Sequence, residues 1–198
     1  MPATAFAALI LAGHSGFGPA TVVLEHHFMD PNLIRGQLTY TLAIRADGSR
    51  AVRQEFTRYR YFFWPQETRI AWVRLEALAG TLTVRDERTG RTETRPLGEG
   101  EMVPAVWKPL PEACQPPWPG ARQVAEERRL GLRVEVWRDD SATLRLAPEL
   151  DCMAVGTGVL GERWWRDGRQ WLRLVSFTRG EPDPALFLPP SSPGLRPR

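Results

Sequence analysis

The sequence predicts an all-β or β-dominated domain: a strongly curved antiparallel sheet or open β-barrel with few short helical turns. Three observations carry this. Apolar residues recur with period two along most of the chain, turn signals separate those stretches at short spacing, and no long stretch keeps a helical period. With 198 residues, 42% hydrophobic and 25% charged, the chain can bury one ordinary core, so a single β-rich domain over residues 21–189 is expected.

Residues 1–20 contain no Asp, Glu, Lys or Arg. Ala5-Phe6-Ala7-Ala8-Leu9-Ile10-Leu11-Ala12 has the length of a signal-peptide core and is too short to span a bilayer. Gly18-Pro19-Ala20 places small residues before a cleavage point after Ala20, although a positively charged start is absent. The expectation is therefore a signal peptide over 1–20 and a periplasmic or secreted product; a buried first element is the other reading of the same eight residues. No other stretch approaches the length of a membrane-spanning helix.

About ten strands follow. Thr21 to Met29 is the first; then Leu38, Tyr40, Leu42 and Ile44 alternate with Thr39, Thr41, Ala43 and Arg45. Ala51 to Phe63, Ile70 to Leu75, Thr81 to Asp86 and Arg91 to Arg95 continue the series, and Leu132, Val134 and Val136 alternate with Arg133, Glu135 and Trp137. Thr143 to Ala147, Val159 to Arg166 and Gln170 to Arg179 complete it, with Asp47-Gly48, Thr89-Gly90, Asp139-Asp140 and Asp167-Gly168 as turns. A three-residue loop Asp47-Gly48-Ser49 sets Ile44 opposite Val52 and Tyr40 opposite Phe56, whereas an odd shift sets Leu42 against Arg53. A two-residue Asp167-Gly168 turn pairs Trp164 with Trp171 and Glu162 with Arg173. Six prolines between Pro104 and Pro119 exclude helix and central strand and predict an extended loop that divides the sheet. Asp183 caps a single helical turn opened by Pro184, and residues 190–198 are expected to form a disordered tail.

Charge and motifs exclude several classes. The 26 basic residues, all arginine except Lys108, interleave with 23 acidic ones, which is not a nucleic-acid footprint. Gly156-Thr157-Gly158-Val159-Leu160-Gly161 spells G-x-G-x-x-G, but the turn six residues later leaves no room for the helix of a dinucleotide site, so the stretch reads as a flexible loop. Gly13-His14-Ser15-Gly16 lacks the final glycine of a nucleophile elbow, and no histidine follows position 27. Glu25-His26-His27 with Asp30 is the one cluster of metal-ligating type, yet on a strand the two histidines point to opposite faces. No metal, cofactor or catalytic set is expected, and the chain does not read as an enzyme.

Cys114 and Cys152 are the only cysteines, and in an oxidising compartment they are expected to pair, tying the proline-rich loop to the end of the Leu144 strand. Eight tryptophans are the unusual feature. They read either as core and arginine-stacked surface rings, or as the lining of an apolar cavity on the concave side of the sheet; the lining residues would be Phe62, Trp64, Trp72, Trp137, Trp164, Trp165 and Trp171. Arg58 and Arg60, alternating with Tyr59 and Tyr61, read as a solvated strand face, or as contacts for anionic head groups or acidic partner proteins.

Leu146-Ala147-Pro148-Glu149-Leu150-Asp151-Cys152, the strand Trp171 to Phe177, and Arg179-Gly180-Glu181-Pro182-Asp183-Pro184-Ala185-Leu186-Phe187 together resemble a group of uncharacterised exported bacterial proteins. In that group a strand ends in R-G-E-P-D-P-x-x-F after a hairpin that follows an apolar-P-E-L segment, and the match covers Ala121 to Pro189. The group is similar in turn to the periplasmic outer-membrane lipoprotein carriers. That resemblance implies an incomplete antiparallel barrel and a lipid or lipoprotein acyl chain as ligand. The chain departs from the carriers in having almost no amphipathic helix to serve as a lid. Two functions follow as expectations: an envelope binding module for an apolar ligand, or an interaction or scaffolding module whose partner is another envelope protein.

Overall fold

A computed structural model describes residues 18–29, 35–60, 64–86, 89–97, 111–159 and 170–190. Eleven strands lie in these residues: β1 (Ala20–Met29), β2 (Arg35–Ile44), β3 (Arg50–Arg60), β4 (Trp64–Glu76), β5 (Thr81–Arg85), β6 (Thr92–Pro96), β7 (Arg122–Arg129), β8 (Leu132–Arg138), β9 (Ala142–Ala147), β10 (Met153–Val159) and β11 (Gln170–Arg179). The only helical pieces among them are two single 3-10 turns, Pro148–Leu150 and Pro184–Phe187. All eleven strands form one antiparallel sheet in the order β6-β5-β4-β3-β2-β1-β11-β10-β9-β8-β7. The curved, open, all-β fold read from the sequence is the fold observed.

Each half is a meander of neighbouring hairpins, and β1 joins β11 to weld them at the centre. One face carries a single buried cluster drawn from both halves, including Val22, Leu42, Ile44, Val52, Val73, Leu132, Val134, Ala147, Leu150 and Val155. A flat sheet leaves one such face wet, so this burial reflects the roll of the sheet about the cluster. We call this the inner face. The reverse face is covered in two places. Cys114, Ala121, Trp137 and Leu146 form a cluster beneath the proline-rich loop. Ala43, Ala51 and Phe187 form another beneath the C-terminal segment.

The disulfide Cys114–Cys152 is present, with Cα atoms 5.6 Å apart. Asp183 caps the second 3-10 turn as expected, accepting from the Ala185 N–H at 2.8 Å. Four sequence expectations are corrected. The first hairpin closes on Ala46-Asp47-Gly48, because Arg45 N donates to Ser49 O at 2.9 Å and Gly48 takes φ 82 at the left-handed third position of the loop. Ile44 therefore meets Arg50, Leu42 meets Val52 and Leu38 meets Phe56; the shift is by two residues, so every side chain keeps its predicted face.

The second correction is that Arg173 stands opposite Gly156 of β10, not Glu162, and on its other side opposite Glu25, with which it forms an ion pair; Glu162 and Trp164 themselves lie outside the described residues. The third is that the described part of the glycine-rich stretch, 156–159, belongs to strand β10 and is not a loop; a Cβ on Gly156 would sit 2.9 Å from Arg145 Cδ, so glycine is what lets Arg145 lie across the strand. The fourth is that residues 122–129 form a strand, β7, without a period-two pattern: its last four residues are all arginine or glutamate and it buries almost nothing. Residues 98–110 and 160–169, which include the start of the proline-rich loop and the Asp167-Gly168 turn, lie outside the described residues, as do 1–17 and 191–198.

Candidate functional site

The inner face is graded from sealed to open along the strands. Cross-strand pairing sorts its residues into rows that run from β11 through β1, β2 and β3 to β4. The bottom row, Ala20, Ile44, Arg50 and Leu75, is at most 3% exposed. The next, Val22, Leu42, Val52 and Val73, is at most 5% exposed. Leu174, Leu24, Tyr40, Gln54 and Ala71 follow at between 7% and 9%. In the fourth row Leu172, His26, Leu38 and Phe56 are half-buried and Arg69 is exposed; beyond it Arg58 is exposed. We call this half-buried end of the inner face, with Arg58 and Arg69 beyond Leu172, His26, Leu38 and Phe56, its mouth.

Burial shapes the titrations there. The Tyr40 phenol is pushed up to about 12 by loss of solvent. His26 is held below the ordinary histidine range by burial, and then by the neighbouring charge of His27.

Directly behind the mouth, on the reverse face, a polar network crosses four strands. Glu25 accepts from Gln37 Nε2 and from Arg173 Nε, the latter at 2.6 Å, and lies 3.1 Å from His27 Nε2; Tyr59 donates to Gln37 Oε1 at 3.1 Å. Burial raises the Glu25 carboxyl, but hydrogen bonds from His27 and Arg173 and their charges outweigh it, so Glu25 sits below its usual range. This network spans β11, β1, β2 and β3 and fixes the strands that carry the mouth. Among the described residues no group of three or more His, Cys, Asp or Glu is gathered as a metal ion requires.

The predicted aromatic lining is dispersed where it is described. Trp72 is 1% exposed and lies on the reverse face, where its Nε1 donates to Leu186 O at 3.1 Å. Trp137 is also on the reverse face, its Nε1 donating to Glu135 Oε2 at 3.2 Å. The backbone places Trp64 opposite Arg60 and Trp171 opposite His27, while Phe62, Trp164 and Trp165 lie outside the described residues. The residues that do form the mouth, Leu38, Phe56 and Leu172, sit in segments read as strands. The signal for them was a period-two apolar row that ends in arginine, rather than the tryptophan count.

No family model matches the chain, and no curated protein matches it. Among solved structures it is similar to MucB, with 14% identity and a TM-score of 0.38 over 94% of this chain and 62% of that one. It is also similar to the LolA superfamily protein NE2245 from Nitrosomonas europaea, with 10% identity and a TM-score of 0.32 over 93% of this chain and 97% of that one. The chain thus spans less than two thirds of MucB's length.

Proposed function

We propose that this domain is an exported binding module that takes an acyl chain or similarly apolar ligand into the mouth of its rolled sheet. The observation that supports it is the gradient on the inner face. Leu38, Phe56 and Leu172 continue a sealed apolar core outward into half-exposure, and Arg58 and Arg69 stand where the head of an amphipathic ligand would emerge. Each buried methylene contributes about 0.8 kcal/mol, so a few carbons of chain in the mouth suffice for retention. An anionic head beside the arginines adds charge-assisted bonds. The Cys114–Cys152 disulfide suits an oxidising, extracytoplasmic setting.

The test is native mass spectrometry and organic extraction of protein purified from its own envelope, with a fluorescent acyl probe for affinity. Co-purifying lipid, and loss of probe binding in a Leu38→Asp, Phe56→Asp variant with unchanged circular dichroism, is the expected result. Arg58→Glu and Arg69→Glu together should weaken an anionic probe by about tenfold or more while leaving an uncharged probe unaffected. Lipid-free protein that binds no acyl probe ends this reading.

A further inference from the structure

Strand β7 is an edge of the sheet, with no strand on its outer side among the described residues. A charged edge ordinarily discourages a second chain, because like charges meet. Here the order of the charges does the reverse. Against its own neighbour β8, the strand is badly matched: Arg122 faces Arg138, Glu126 faces Glu135 and Arg128 faces Arg133. Like charges directly opposite are destabilising in an antiparallel pair. Across the pair a long diagonal Glu126–Arg133 approach, at 3.9 Å, offsets part of this, while Glu135 and Arg133 draw their other partners from outside β7.

Against a second, antiparallel copy of itself the same strand is well matched. With a two-fold axis at Glu127, Glu126 of each copy meets Arg128 of the other and Ala125 meets Arg129, while Val124, at the bulge of β7, and Leu130, in the hairpin turn, lie just beyond these pairs. Val124 and Leu130 are each 54% exposed. At the axis the two Glu127 carboxylates are each already neutralised within their own chain, by Arg129 Nε at 2.8 Å and Arg145 Nε at 2.9 Å. Leu130 adds an independent observation. It sits at φ 49 in the Leu130-Gly131 turn, a left-handed position that suits Asn or Gly, so the chain carries both backbone strain and an exposed apolar side chain at this point.

We infer that β7 is a homodimerisation edge, pairing antiparallel with β7 of a second copy about a two-fold axis at Glu127. Paired residues share a face, so the sheet runs on through both copies with the two inner faces on the same side, and because the axis reverses the strand direction the two mouths lie at opposite ends. One strand pair is a small interface, so the dimer is reversible and concentration-dependent.

The test is sedimentation velocity of the full chain over a range of concentrations from low micromolar to submillimolar. The intact protein should shift from monomer to dimer. Glu126→Arg alone and Arg128→Glu alone should each remain monomeric, because each sets like charges across the axis twice. Mixing the two should yield a heterodimer, and the Glu126→Arg, Arg128→Glu double variant should recover the homodimer. Leu130→Asn should weaken the dimer several-fold while raising the monomer's melting temperature, an opposition that a merely structural residue would not show. A wild-type chain that stays monomeric throughout, or a dimer indifferent to the single charge reversals, overturns the inference.

Discussion

Glu135 is buried to 1% exposure, yet its Oε2 accepts from the Cys114 N–H at 3.1 Å and from Trp137 Nε1 at 3.2 Å. It is a buried polar link between β8 and the disulfide loop. Glu135→Leu leaves both donors buried without an acceptor and should cost about 2 to 4 kcal/mol, whereas Glu135→Gln keeps an acceptor and should cost about 1 kcal/mol, both read from urea midpoints. Asp139 works differently. Its carboxylate accepts from the Ser141 N–H at 2.7 Å, the Ser141 hydroxyl at 2.8 Å and the Ala142 N–H at 2.8 Å, with the Trp118 indole on its other oxygen. The Ser141 backbone bond leads in bringing the Asp139 carboxyl from an ordinary 3.8 down to about 2. A depressed carboxyl stabilises the fold above its unfolded value, and the contribution is lost as pH falls from about 4 to about 2. NMR titration should place Asp139 near 2, and Asp139→Asn should flatten acid unfolding over that interval. The Asp139-Asp140 turn was legible in the sequence; the burial of Glu135 was not, because alternation marks a face but does not say that a loop will later cover it.

Among the elements, the C-terminal segment acts as a strap across the reverse face of β2, β3 and β4. Phe187 is 3% exposed against Ala43 and Ala51, with Arg45 stacked 3.8 Å over its ring. Trp72 and Arg74 hold the carbonyls of Leu186 and Phe187, and Glu181 accepts from the Ala46 N–H at 2.9 Å. Phe187→Ala should cost about 3 to 5 kcal/mol, and removal of residues 181–198 should red-shift tryptophan emission as Trp72 meets water. The proline-rich loop is the second cover. Its disulfide closes a separation of 38 residues, which by chain entropy contributes about 4 kcal/mol, so reduction should lower the urea midpoint correspondingly and the oxidised protein should show no thiol on unfolding. The capped turn was legible in Asp183-Pro184 and the bridge in the two cysteines, though not the face that the loop covers. Strands β7 and β10 carry no strand signal in the sequence, since one is charged on both faces and the other is rich in glycine; neither shows the alternation that comes from facing a core on one side only.

At the scale of the whole molecule, the strand order places β1 and β11 side by side at the centre of the sheet and leaves β6 and β7, consecutive in the chain, at its two edges. Hairpin spacing made the local pairings readable. The β1–β11 union was not readable, because pairing between distant strands leaves no mark in a local pattern. It also determines how the chain must fold: the weld at the middle joins segments about as far apart in sequence as the domain allows, while Gly180 N already reaches Pro19 O at 2.8 Å. A circular permutant follows from this. With new ends cut within residues 98–110 and the old ends joined by a flexible linker, the order becomes β7 to β11 and then β1 to β6, and every strand pairs only with its neighbours in sequence. Its contact order falls sharply, so stopped-flow refolding should be faster than in the parent at similar stability.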